Sequence, residues 1–368
     1  MKTFPGKAGL VQRVLPNYRA PFFNALGARC TAGLGVFSGE PRPEEMIHAL
    51  RKLDQAELTW GRNIHLFRGS LYLCLQLGLM KWLRAWNPDL LILEANPRYL
   101  HTAAAVRWMH QRERPVIGWG LGAPPLSGPL AHLRQKRRAA LLSQFDAMIT
   151  YSQTGAAEYA RLGFPESRIY VAVNAVTPPP PHPLPERPPL TEDTPPRVLF
   201  VGRLQERKRV DNLIRACAQL APDHQPELVV VGDGPSKQSL QSLALAHYPK
   251  TTFAGALYDE ALAKQFRAAD LFVLPGTGGL AVQQAMSYGL PVITAEADGT
   301  QADLVRPENG WHIPPDDPSA LQAALEIALS DPARLRRMGA HSYRIVAQEI
   351  NLEQMVGVFL DAMERCSQ

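Results

Sequence analysis

Residues 273–293 read VLPGTGGLAVQQAMSYGLPVI, and this stretch decides the fold. Leu271, Phe272, Val273 and Leu274 form a short apolar run, residues 275–279 can continue neither helix nor strand, and helical spacing resumes at Leu280. The stretch therefore predicts a strand, a glycine turn and a helix that opens on the turn. The free N–H groups of the first helical turn face whatever lies above the strand end, and the helix dipole favours negative charge there. A phosphate group suits such a junction, which makes Gly276, Thr277, Gly278, Gly279 and Leu280 candidate contacts.

The same strand and helix alternation extends in both directions. Toward the N-terminus of the turn, apolar runs at 198–201, 228–231 and, more weakly, 251–254 alternate with helical segments at 210–220, 235–246 and 259–268. Beyond it come a run at 291–295 and a helix at 319–329. Residues 177–196, TPPPPHPLPERPPLTEDTPP, are too rich in proline for helix or sheet and predict a semi-rigid polyproline II linker. Before the linker a second βαβ pattern appears, with apolar runs at 9–15, 33–37, 90–94, 115–120, 147–151 and 169–173. The expected domains are residues 1–176, the linker 177–196 and residues 197–350, followed by a last helix in 351–368. The expected architecture is α/β: two Rossmann-like, doubly wound parallel-sheet domains facing each other across a cleft, where the ligands of such sheets bind.

Length and composition agree with this. A chain of 368 residues with 46% hydrophobic content has room for two to three domains with buried cores. No apolar run is long enough to span a membrane and the N-terminal apolar stretch is too short for a signal peptide, so a cytoplasmic location is expected. Cys30, Cys74, Cys217 and Cys366 are widely spaced without nearby histidines, which argues against a disulfide framework or a zinc site. A net charge of +5 suits an anionic ligand or an anionic membrane surface. It is too small, without interleaved aromatic and basic residues, to imply nucleic acid.

The run VLFVGRLQERKRVDNLI starts at Val198 and ends its strand at Gly202, after which Arg203, Arg207, Lys208 and Arg209 crowd a helix start. Cations at the positive end of a helix are electrostatically misplaced unless they serve an anion. Arg203 and Lys208 are therefore read as anion-binding, Arg207 and Arg209 as solvated. In LVVVGDGPSKQSLQSLA the Gly232-Asp233-Gly234 turn is needed wherever a parallel strand passes into a helix, and Asp233 is read as structural.

Taken in order, VGRLQERKRVDNLI, VVVGDGPSKQSLQ, FAGALYDEALA, VLPGTGGLAVQQAMSYGLPVI and DGTQADLVRPENGWHIPPDDPSAL resemble the C-terminal half of family-4 retaining glycosyltransferases of the GT-B fold. The resemblance covers about residues 197–334 and rests on several motifs in order. It implies a nucleotide-sugar donor, with Arg203 and Lys208 at the diphosphate, Gly279 and Leu280 approaching the phosphates through backbone amides, and residues 256–258, Leu257 and Tyr258 among them, beside the nucleobase. Gly202 and Gly232 are further candidate donor contacts, and the fold it implies brings the last helix back onto the first domain. The family carries two glutamates eight residues apart in the glycine-turn segment; this chain has Gly276 and Gln284 there. An amide at Gln284 still hydrogen-bonds ribose hydroxyls. Gly276 cannot replace a carboxylate, and the family's first glutamate lies near the donor sugar.

The first domain is less like the family. In QRVLPNYRAPFFNAL, Arg13, Asn17 and Arg19 fall at a strand-end loop, with Arg13 or Arg19 read as acceptor or donor-phosphate contacts or else as surface arginines. Phe22, Phe23 and Leu26 face the core. In LILEANPRYLH, Glu94 reads as an acceptor contact or general base, or equally as a helix cap, with Asn96 in the next turn. Trp119, between glycines, either stacks on a sugar ring or fills the interdomain cleft. Arg134, Lys136, Arg137 and Arg138 form a helix face that is either solvated or set against anionic lipid.

The expected function is transfer of a sugar from a nucleoside-diphosphate sugar, UDP- or GDP-linked, to a glycan or lipid-linked acceptor of the cell envelope or an exopolysaccharide. Retention of configuration is expected, with Arg203, Lys208 and Glu94 as the catalytic set. No metal or further cofactor and no nucleic acid are expected, and peripheral contact with the inner membrane face is. The rival readings are a non-catalytic nucleotide-sugar-binding or scaffold protein, motivated by Gly276 and Gln284, and a nucleotide-sugar epimerase.

Overall fold

The structure is a computed structural model that describes residues 2–45, 47–128, 130–187, 195–278, 280–297 and 301–368. The chain divides into two compact units: Met1–Val176 with Leu352–Gln368, and Thr177–Asn351.

The first unit is built from β1 (Ala8–Val11), α1 (Ala20–Gly27), β2 (Leu34–Gly39), β3 (Glu57–Leu66), β4 (Leu73–Leu77), α2 (Leu79–Trp86), β5 (Leu90–Glu94), α3 (Thr102–His110), β6 (Val116–Gly120), α4 (Ala131–Leu142), β7 (Ala147–Thr150), α5 (Gln153–Arg161) and β8 (Ile169–Val171). Its eight-stranded sheet has the order β4-β3-β2-β1-β5-β6-β7-β8. Pairing is parallel except between β3 and β4, which form an antiparallel hairpin at the edge. The expectation of an all-parallel sheet is corrected there. Residues of β3 are mostly half-buried, so neither a continuous apolar run nor a clean alternation marks it in the sequence.

The second unit contains β9 (Arg197–Val201), α6 (Val210–Gln219), β10 (Glu227–Val231), α7 (Lys237–His247), β11 (Thr251–Gly255), α8 (Asp259–Ala268), β12 (Leu271–Leu274), α9 (Leu280–Ser287), β13 (Val292–Ala295), α10 (Gln301–Leu304), β14 (Gly310–Ile313), α11 (Pro318–Leu329) and α12 (Pro332–Arg344). The six strands run β11-β10-β9-β12-β13-β14, all parallel. Their centre is fully buried: Val198, Leu199 and Phe200 of β9 and Phe272 and Val273 of β12 have no exposed surface. In α6, Val210, Leu213, Ile214 and Cys217 repeat at helical spacing and bury one face. Chain direction along the sheet reverses between β9 and β12, so the loops after these neighbouring strands diverge and leave a crevice at their carboxyl ends.

The last helix, α13 (Leu352–Cys366), joins the core of the first unit, with Met355, Phe359 and Met363 buried among Phe22, Phe23 and Trp119. The proline-rich segment was expected to be a spacer. Residues 188–194 lie outside the described residues, but the part before them is bound to the second unit. The Arg187 guanidinium donates to the carbonyls of Ala269 at 2.9 Å, Tyr288 at 2.7 Å and Phe266 at 3.2 Å, where α8 and α9 end. Carbonyls at helix C-termini lack partners and carry the negative end of the dipole, so a cation there is stabilising. Burial, reinforced by Arg336, lowers the Arg187 pKa to about 10.

Candidate functional site

In the second unit the ends of β9, β10 and β11 border a cleft of about 520 Å³ lined by residues 201–203, 231–234 and 256–258. The floor depends on close backbone approach. Gly232 has φ +142°, its N–H donates to the Gly255 carbonyl at 2.7 Å, and a Cβ there would stand 1.9 Å from the Gly202 carbonyl oxygen. Any side chain at 232 would force the strand ends apart. Of the sequence candidates, Gly202, Arg203, Gly232, Leu257 and Tyr258 all line this cleft, and Arg203 and Tyr258 are exposed. Asp233 also lines it, yet its carboxylate accepts the Gly234 N–H at 2.7 Å and pairs with Lys237 at 2.7 Å. Those two hydrogen bonds, Lys237 first, hold its pKa below the ordinary value, consistent with a turn-forming role.

The glycine turn after β12 is joined to the loop that carries Arg207 and Lys208. Thr277 N–H donates to the Arg207 carbonyl at 3.0 Å, Arg207 Nη1 donates to Thr277 Oγ1 at 2.9 Å, and Lys208 Nζ donates to the Thr277 carbonyl at 2.5 Å. A Cβ on Gly276 would lie 2.3 Å from the Arg207 carbonyl oxygen and 2.6 Å from the Lys208 carbonyl carbon. The position of the missing glutamate is thus filled by backbone. A Cβ on Gly278 would lie 2.2 Å from Lys208 Nζ, so the ammonium sits directly against the turn. Burial, with Arg207 as a further cause, lowers the Lys208 pKa to about 8. Among the described residues no carboxylate pairs with it, and it carries positive charge below that pH.

Leu280 is the first residue of α9, while Gly279 lies outside the described residues. Gln284 is half-buried on α9 and its carbonyl accepts Ser287 Oγ at 2.7 Å. Arg209, read as solvated, ends the basic loop with its side chain bound to Asp316. Sequence reasoning missed Gln301: it is buried, its Nε2 donates to the Gly278 carbonyl at 2.8 Å, and its Oε1 has no partner among the described residues. Nothing in the local sequence points to this amide, because it reaches the turn from a different βα unit.

In the first unit, Glu94 ends β5 and accepts the Arg13 backbone N–H. Burial raises its pKa to about 7 against the opposing effects of that hydrogen bond and of the Arg13 and Arg19 charges. Arg13 was offered as a ligand contact, and its guanidinium is instead committed to Glu45 by two hydrogen bonds of 3.0 and 2.9 Å. Glu45 lies 32 residues away in sequence and carried no signal of this partnership. Arg19 stands 5.2 Å from the Tyr151 ring and 5.8 Å from that of Trp119, with Nη1 lacking an acceptor. Asn17 is exposed, and Asn96 caps its turn by accepting the Arg98 N–H at 3.1 Å. Trp119 corrects its sugar-stacking reading: it is 2% exposed and packs against Phe22, Tyr151 and Phe359 at 5.5, 5.3 and 4.9 Å. No ring face remains for a ligand.

Residues 185–344 match the family described as Glycosyl transferases group 1. A GDP-mannose-dependent alpha-mannosyltransferase of Mycolicibacterium smegmatis is 42% identical over 115 residues, 30% of this chain and 28% of that protein. An uncharacterized glycosyltransferase of Methanocaldococcus jannaschii is 30% identical over 139 residues, 36% of each chain. The chain thus aligns with about a third of the length of these curated relatives. Anabaena HepE in complex with UDP shares the fold with a TM-score of 0.71 over 99% of this chain and 100% of that one, at 18% identity. The fold is therefore GT-B, with two Rossmann-like α/β units, and the match to glycosyl transferases group 1 falls in the second unit.

Proposed function

We propose that this protein is a glycosyltransferase that moves a sugar from a nucleoside-diphosphate sugar to an acceptor hydroxyl, with retention and in the manner of family 4. The carrying observation is Lys208, an ammonium that pairs with no carboxylate among the described residues, seated on the glycine turn beside a cleft at the strand ends. That arrangement binds a diphosphate and stabilises the charge that develops as the diphosphate leaves. Arg203 at the cleft rim adds positive charge, as does the N-terminus of α9. The anomeric C–O bond to the diphosphate breaks, the acceptor oxygen bonds to the same carbon from the same face, and its proton passes to the departing phosphate oxygen. Glu94, half protonated near neutral pH, is the acceptor-side carboxyl group. No metal or further cofactor forms part of this reading. The acceptor class is a glycan or lipid-linked precursor of the cell envelope, met at the cytoplasmic face of the membrane.

The relatives' names support a UDP- or GDP-linked donor. Incubation with a panel of both, following nucleoside diphosphate release and product mass, tests the reading. Release coupled to a heavier acceptor supports it. The absence of any room for a side chain at Gly276 favours a second reading, a binding protein without turnover. Tight donor binding with no release across the donor and acceptor panel would establish that one, and a product of unchanged donor mass would mark an epimerase.

A further inference from the structure

The first unit carries an outward-facing surface that donor binding does not use. At the tip of the β3–β4 hairpin, Leu66, Phe67 and Leu71 are 38%, 67% and 71% exposed. Phe67 has φ 60°, a left-handed backbone that a bulky residue adopts only against steric repulsion. Leu130, just ahead of α4, repeats both properties with φ 59° and 70% exposure. Large apolar side chains held in water by strained backbone are unfavourable twice over unless something covers them.

The loop after β5 lies beside the hairpin and reaches toward α4. Cys74 N–H donates to the Arg98 carbonyl at 2.9 Å and Leu100 N–H donates to the Cys74 carbonyl at 3.0 Å, so Leu100 lies beside the hairpin. Arg98 is also close enough to Arg138 of α4 to repel it. Burial, followed by the repulsion of Arg134 and Arg98, leaves the Arg138 pKa below its ordinary value despite Tyr159 and Glu158 nearby. Past Glu57 at the start of β3, residues 58–88 contain no Asp or Glu, and neither do residues 114–145, which hold α4. Arg42, which lies over the Tyr72 ring of the hairpin, is paired with Glu44 and Glu45, but among the described residues neither Arg98 nor Arg134 forms an ion pair. Apolar tips beside such cations complement a layer that is apolar beneath and anionic at its surface.

We propose that the hairpin tip, the loop of Arg98 and Leu100 and the start of α4 form a docking surface for a bilayer with anionic headgroups. Phe67, Leu71 and Leu130 enter the boundary between headgroups and acyl chains, and Arg98 and Arg134 meet the phosphates.

Co-sedimentation of the full chain with vesicles tests this, using phosphatidylcholine alone and phosphatidylcholine mixed in equal parts with phosphatidylglycerol. Binding to the mixed vesicles should exceed that to phosphatidylcholine and weaken as salt is raised. The double variant Phe67→Ser, Leu71→Ser should partition about tenfold less, with an unchanged melting temperature because both side chains are exposed. Leu130→Ser, at a site remote in sequence, should act in the same direction and guards against a local folding defect of the hairpin. Equal recovery on the two vesicle types, or variants that bind like the parent, would overturn the proposal. So would a concentration-dependent dimer formed without lipid and lost in the double variant, which would assign the surface to a second copy of the chain. Nucleoside diphosphate binding is expected to be unaltered in all of these variants, so the outcome is separate from that of the donor site.

Discussion

The two strand-end clusters treat their cations in opposite ways. In the first unit, Arg13 is neutralised by Glu45, which also accepts from Arg42 at 3.2 Å, and a partly protonated Glu94 completes a set that is satisfied internally. In the second, Lys208 has a neutral carbonyl as its partner and Arg207 a hydroxyl, and the adjoining turn is glycine. A buried pair offers little to a ligand because binding would have to break it. A desolvated ammonium without a counterion gains strongly when an anion arrives. The comparison explains why similar arginine- and lysine-bearing loops, alike as sequence, deserve different functional weight.

The harshest way to break this contrast is Gly276→Glu, which restores the residue type found in the resembled family. With backbone at 2.3 Å from the new Cβ, the variant should lose about 3 kcal/mol of stability, measured by denaturant unfolding, and lose nucleoside diphosphate binding. A stable, binding variant would show that the loop of Arg207 does not hold that space. Next in size, Lys208→Ala should weaken nucleoside diphosphate binding by about 1 to 3 kcal/mol in calorimetry. Unchanged affinity would remove Lys208 from the site.

A gentler probe is pH. Anion binding favours protonated Lys208, so affinity should hold below a pH of about 8 and decline as pH rises through that value. The decline should vanish in Lys208→Arg, which stays charged throughout; a slope that persists in that variant would place the titrating group elsewhere. The smallest effect is expected at Glu94. Its folded-state pKa is raised from 4.5 to about 7, so the folded chain binds more protons than the unfolded one across that window and stability falls as pH rises through it. Glu94→Gln should abolish this fall and be roughly 1 kcal/mol more stable than the parent above the window, after allowance for partial solvent access. Thermal unfolding at several pH values would show it, and parallel curves for the two proteins would count against it.

The sheet of the second unit was largely legible because parallel strands buried on both faces leave continuous apolar runs, as in LFVL of β12 and LVVV of β10. β14, with Gly-Trp-His-Ile, was missed because its half-buried tryptophan and exposed histidine interrupt any such run. The β3–β4 hairpin was missed for a related reason. At the site, the turn and Lys208 could be read locally, since a glycine cluster and a misplaced charge each announce themselves within a few residues. Trp119 could not: the residue beside it in sequence is glycine, and what covers its ring is Phe359, supplied by a helix 240 residues later.

The amino-acid sequence by itself determined the alternating βα order, the phosphate-suited turn and the charge placed near it, because hydrophobic period, glycine content and helix polarity are local properties. Tertiary structure alone decided which charges remain available. The pairing of Arg13 with Glu45, the closure of Gly276 against Arg207 and Lys208, and the burial of Trp119 under α13 join segments far apart in the chain. Desolvation and steric exclusion depend on such neighbours in space, and no spacing along the chain encodes them.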